Sequence, residues 1–160
     1  MLNDIVNNLP DGRAENELVN FLKKCPELEK EDIVFNLLKH DSDYVRASML
    51  KTIPRVIKDK ALLYKILEMG LAKKNVSGIK LWFKATTAGL GYKRMLNHMK
   101  KIAESHPEWI AHSWYQLVPL ILREAPDCVG ILEDIKNITD ACIQDELNEF
   151  WIRNKEAVPY

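Results

Sequence analysis

The chain has 160 residues, 47% hydrophobic and 29% charged, with 23 basic and 23 acidic side chains and so no formal net charge. That is the composition of a soluble globular domain long enough to bury a core, and no window approaches the ~18 uninterrupted apolar residues of a membrane span. The three cysteines, Cys25, Cys128 and Cys142, are odd in number and form no CxxC pair, which argues against a disulfide framework or a zinc site and for reduced, mostly buried thiols.

Apolar residues recur at three and four, as in Leu18, Phe21 and Leu22 or Leu62, Leu63, Ile66 and Leu67, and no run alternates as a strand would. The chain is therefore expected to be all-α, with breakers marking about ten helices. The opening MLNDIVNNLPDGRAENE has no basic start followed by an apolar run, so no secretory signal is read there and a cytoplasmic location is expected. It predicts a first helix over residues 2–9, closed by Pro10, Asp11 and Gly12, and a second over 13–24. Pro26 precedes a third over 28–39, and His40 to Ser42 lead into a fourth over 43–57 that contains Pro54. A fifth spans 60–73 and ends on Lys73 and Lys74, which suit the negative end of a helix dipole. The sixth, 76–88, is expected to stop at Gly89 as a C-terminal cap, and the seventh covers 91–105. Pro107 starts an eighth that reaches Arg123, Pro126 opens two more over 127–136 and 138–154, and residues 156–160 are expected to fray. Residues 1–160 form a single domain on this reading.

The segment HDSDYVRASMLKTIPRVI, residues 40–57, recurs 65 residues later as HPEWIAHSWYQLVPLIL. Tyr44 meets Trp109, Val45 meets Ile110, Ser48 meets Ser113, and Pro54 meets Pro119. Half that step, about 33, falls on the second and sixth helices, so the period is one helical hairpin and about five antiparallel pairs fill the chain. Within the repeat, Asp41, Asp43, Val45 and Arg46 followed by Leu50, Ile53 and Pro54 resemble a HEAT-type repeat. The match is strong over 31–57 and moderate over 91–123, where Ala111 stands in the arginine position. The resemblance implies a right-handed α-solenoid of HEAT or armadillo style, in which each hairpin buries its apolar face against its neighbours. Val45, Met49, Ile53 and Ile57 are then expected in the core with all four tryptophans, and Pro54 bends its helix as part of a repeated curvature.

Charge is unevenly spread. Residues 1–38 carry 4 basic and 8 acidic side chains, residues 39–101 carry 15 and 4, and residues 102–160 carry 4 and 11. A basic middle between acidic ends bears on partners. In stacked hairpins the second helices line the concave face. Steps of 33 and then 32 residues there align Lys51, Lys84 and Gln116 in one column and Ala47, Lys80 and His112 in the next, with Arg55 beside the first. Lys51, Arg55, Lys80, Lys84, His112 and Gln116 are thus the candidate partner-binding residues. Arg94, Lys100 and Lys101 belong to a first helix and are expected on the other side.

No catalytic constellation stands out. The four histidines form no HExxH, Glu108 and His112 read as a surface pair, Gly89 to Arg94 read as an inter-helix turn, and Asp41, Ser42 or Asp43 reads as a helix N-cap. The expectation is a non-enzymatic module without cofactor, metal or small-molecule substrate, holding a protein on its concave face. Small stand-alone repeats of this style resemble bacterial immunity proteins, which implies a cognate toxin domain with an acidic patch as partner. The alternatives are nucleic-acid backbone binding through the basic middle, as in HEAT-like DNA-binding or DNA-repair proteins, and a scaffold subunit of a larger complex.

Overall fold

The computed structural model describes all residues, 1–160, and contains helices and turns with no strand. Ten α-helices follow one another: α1 Leu2–Asn7, α2 Gly12–Lys24, α3 Glu27–Leu38, α4 Asp43–Val56, α5 Lys60–Ala72, α6 Ile79–Leu90, α7 Tyr92–Ser105, α8 Pro107–Glu124, α9 Val129–Cys142 and α10 Asp145–Ala157, with a short 3₁₀ turn at Pro126–Cys128 before α9. No helix is long and apolar enough to cross a membrane.

Local chemistry explains most of the boundaries. The Asp11 carboxylate accepts from the amides of Arg13 and Ala14 to start α2, and Asp59 does the same for Ala61 and Leu62 in α5. Ser42, between two aspartates, is the residue that caps α4, its Oγ accepting from the amide of Val45. Arg46 then reaches back to the carbonyls of His40 and Asp41 and to the Asp43 carboxylate, tying the preceding turn to the first turn of α4. Pro107 occupies the first turn of α8, where its missing N–H leaves nothing unpaired.

Several boundaries differ from the sequence expectation, among them the end of α1 at Asn7 and the start of α6 at Ile79, and two have a reason in packing. Gly89 does not end α6, because the helix continues through it to Leu90 and the cap is Gly91, at φ +77°. Gly89 serves packing instead, since a Cβ there would press on Leu63 Cδ1 of α5. The break between the last two helices lies at Ile143 and Gln144, not near Asn137, because Ile135, Ile138 and Thr139 carry the apolar stripe of α9 onward against the core.

Within the molecule the hairpin partners α1–α2, α3–α4, α5–α6 and α7–α8 touch, and the even-numbered helices also meet in order, α2 on α4, α4 on α6, α6 on α8 and α8 on α10. Among the odd-numbered helices the closest pairing is α7 with α9. One cluster of 43 buried hydrophobic residues runs from Ile5 to Val158 without interruption. Val45, Met49, Ile53 and Ile57 all lie in it, as expected. Tyr44 does not: it is 70% exposed, because it stands in the first turn of α4, where Val45 alone points inward. Its counterpart Trp109 is half-buried and stacks on His106 at 3.9 Å between ring centroids. The other tryptophans are interior, with Trp114 and Trp151 packed edge to face at 5.2 Å.

The tail is not free. Val158 is buried, the Tyr160 hydroxyl donates to Glu133 at 2.8 Å, and the Lys136 ammonium lies 5.3 Å from the centre of the Tyr160 ring. Of the cysteines only Cys128 is buried; Cys25 is half-buried and Cys142 exposed.

Candidate functional site

Each of α4, α6 and α8 touches other even-numbered helices and at least one odd-numbered helix, and each keeps exposed residues. The six sequence candidates sit on these three helices, and their environments differ.

On α4, two of the cations are engaged within the molecule. Lys51 lies 3.5 Å from the Glu15 carboxylate of α2, and the Arg55 guanidinium donates to Asn16 Oδ1 at 2.9 Å. Glu15 is held in place by the buried Ser48, whose hydroxyl donates to it at 3.0 Å. This trio joins α2 to α4. Lys51 remains 66% exposed, so the pair is screened and worth little on its own. A partner could recruit Lys51 without unfolding anything.

On α6, Lys84 is exposed and Lys80 half-buried, and neither has a carboxylate within 4.0 Å. The helix IKLWFKATTAGL contains no acidic residue at all. Their charge is therefore uncompensated on this surface, unlike that of Lys51, Lys65 and Lys100, which pair with Glu15, Glu31 and Asp134.

On α8 the two candidates are polar but partly withdrawn. His112 does not pair with the Glu108 side chain. Its Nδ1–H donates to the Glu108 carbonyl at 2.7 Å and its ring rests 4.8 Å from that of Phe150, while the Glu108 carboxylate turns to His106 at 3.2 Å. Gln116 is half-buried.

The residues that dominate the free side of α8 escaped the sequence reading. Tyr115 is 47% exposed and Leu122 39%, and Pro119 between them is also exposed. The spacing of four and three puts all three on one helix face. Leu81, 44% exposed on α6, adds to the apolar surface of the row. Pro119 also lacks the N–H that would bond to the Tyr115 carbonyl. The signal was available: in HSWYQLVPLIL the apolar residues surround the helix, more than one buried stripe can use.

Beyond α8 the sign of charge reverses. Asp145, Glu146 and Glu149 are exposed on α10, and none has a cation within 4.0 Å. The exposed residues thus include unpaired lysines on α6, an apolar trio on α8 and unpaired carboxylates on α10.

On α7, Lys93, Arg94 and Lys101 are exposed with no carboxylate within 4.0 Å, Arg94 donating only to the Leu90 carbonyl, whereas Lys100 bridges to Asp134 of α9 at 3.1 Å. No group of three or more His, Cys, Asp and Glu side chains is gathered as metal ligands would be. Comparison of the chain with protein-family models, with curated proteins and with solved structures finds no match.

Proposed function

We propose that this chain is a non-enzymatic protein-binding module of five hairpins stacked as a HEAT-like solenoid, and that the free sides of its even-numbered helices hold a macromolecular partner. The succession α2, α4, α6, α8, α10 supports the stacking. The observation that carries the binding proposal is the exposed apolar ridge of Tyr115, Pro119 and Leu122 beside the unpaired lysines of α6. An aromatic and aliphatic centre with charges at its rim is how a protein interface is built, the centre giving affinity and the charges orientation. The partner then presents an apolar projection flanked by carboxylates, as an acidic toxin domain neutralised by an immunity protein does.

The test is capture from native lysate at low salt by the immobilised protein and by its Leu122→Glu and Lys80→Glu/Lys84→Glu variants. A specific protein retained by the parent and lost by both variants is expected. A partner retained equally by all three, or none by any, sinks the proposal.

A second reading has its own observation, the unpaired Lys93, Arg94 and Lys101 on α7. If these bind nucleic-acid phosphates, a random duplex shifts in a gel at about 50 mM salt and the shift fades as salt rises. Absence of a shift at low salt ends that reading.

A further inference from the structure

Where α4 packs against α6, a cavity of about 460 Å³ is left between them. Arg46, Ala47 and Leu50 line one wall, at the spacing of a single face of α4, and Leu81 and Trp82 of the first turn of α6 line the other. Lys73, in the turn between α5 and α6, completes the lining. Leu50 and Trp82 belong to the buried core, Ala47 is half-buried and Leu81 is exposed, so the apolar walls run outward from the interior to the surface. The volume lies within the roughly 300–1,000 Å³ of pockets that hold small ligands, so a fragment the size of a dipeptide fits.

The charge at this cavity is positive and uncompensated. The Lys73 ammonium lies 5.7 Å from the centre of the Trp82 ring and has no carboxylate within 4.0 Å. Asp43 is the one carboxylate in the lining, and Arg46 pairs with it, so those two charges cancel. No side chain caps the first turn of α6, which leaves the positive end of that helix dipole at the same place. Leu81 shares a helix face with the unpaired Lys84 three residues on, so the cationic surface continues beyond the cavity. Apolar walls beside a free ammonium suit a group that is apolar at one end and anionic at the other. A nucleic-acid backbone would use the lysines and leave the apolar walls idle, which favours a protein as occupant.

We propose that this cavity is an anchor pocket: it takes a large apolar side chain of a partner protein, with an adjoining Asp or Glu carboxylate of that partner against Lys73. The pocket rests on the protein-binding function proposed for the chain and deepens it, since it gives the partner's apolar projection and carboxylate a defined place between α4 and α6. The α8 ridge is then a second contact.

The test is titration of the nitrogen-15-labelled protein with acetyl-Phe-Glu-amide, followed by NMR at about 50 mM salt. The expected result is saturable shifts of the Trp82 indole and of the Ala47 and Leu81 amides, with a Kd of about 1 mM for so small a ligand. The neutral acetyl-Phe-Gln-amide should bind about tenfold more weakly. Lys73→Gln should remove the difference between the two peptides. Ala47→Phe, which fills the cavity, should abolish binding of both, with the fold of each variant checked by circular dichroism. No shift at about 10 mM peptide overturns the proposal. So does equal binding of the two peptides, or shifts that neither variant changes, or a random duplex that moves these signals when the peptide does not. Peptide binding by a protein that captures nothing from lysate overturns the protein-binding function and leaves the pocket. Capture indifferent to both variants overturns the pocket alone.

Discussion

Individual residues in this chain carry meaning that depends on what stands opposite them, and the glycines show it most directly. A Cβ at Gly70 on α5 would lie 2.6 Å from two atoms of the Trp82 ring on α6, whereas a Cβ at Gly130 on α9 would meet nothing within 4 Å. Alanine is the better helix former by up to about 1 kcal/mol at either position. Gly130→Ala should therefore raise stability by about half a kcal/mol, since the site lies in the first turn. Gly70→Ala should lower it by about 1–3 kcal/mol, the cost of overpacking a rigid, buried ring. Urea denaturation of the two variants distinguishes them, and equal signs would contradict the close approach of α5 to α6. The sequence pattern gave no hint of the difference. Both glycines simply interrupt helical runs.

At the scale of elements, the paired prolines separate into two situations. Pro54 is the third residue from the end of α4, so little helix lies beyond the bend, and its carbonyl, one of the last four without an intrahelical partner, accepts from the Lys58 ammonium at 2.7 Å. Pro119 is well inside α8 and exposed. Pro119→Ala restores a backbone hydrogen bond and sacrifices no buried contact, so it should stabilise the protein by about 1–3 kcal/mol in urea denaturation. Loss of stability would mean that the bend is needed for packing. The C-terminal segment responds to pH instead. Hydrogen bonds from Tyr160 and then Lys136 hold the Glu133 carboxyl below its ordinary range, and burial with the Glu133 bond raises the Tyr160 hydroxyl above its own. A lowered carboxylate contributes stability above its unfolded pKa and loses it as pH falls through the folded value. A raised tyrosine contributes below its unfolded pKa and loses it as pH rises through the folded value. The tail should therefore stay docked at neutral pH and release in acid as Glu133 protonates, and again in strong alkali. Tyr160 lies 6.4 Å from Trp114, so tryptophan fluorescence should report the acid step, and Tyr160→Phe should remove it.

For the molecule as a whole, the free side of the even-numbered row is the surface on which function is proposed, and its charges decide what it accepts. Lys51 and Arg55, the first candidates by sequence, double as ties between α2 and α4, while Lys80 and Lys84 are uncommitted. Lys51→Ala should thus weaken partner capture less than Lys80→Glu/Lys84→Glu, as read by the amount of partner retained at low salt. The reverse order would move the site to α4.

Helix content, the number of helices and the core stripe of α4 were legible in the chain, because three-four apolar spacing and capping residues act locally and need no knowledge of neighbours. The 65-residue recurrence aligned Met49, Trp82 and Trp114, and all three are buried. That same alignment pairs the half-buried Trp109 with Tyr44, which is exposed, since identity of position along a helix does not fix whether a neighbouring element covers it. Tertiary structure alone decided which lysines are spent on Glu15, Glu31 and Asp134 and which remain available. It also decided that Tyr115, Pro119 and Leu122 lie on an uncovered side, and that the last three residues fold back on α9. The physical reason is common to all of these: exposure and pairing belong to contacts between residues far apart in the chain, and a local pattern of apolar and charged side chains specifies a helix but not what stands opposite it.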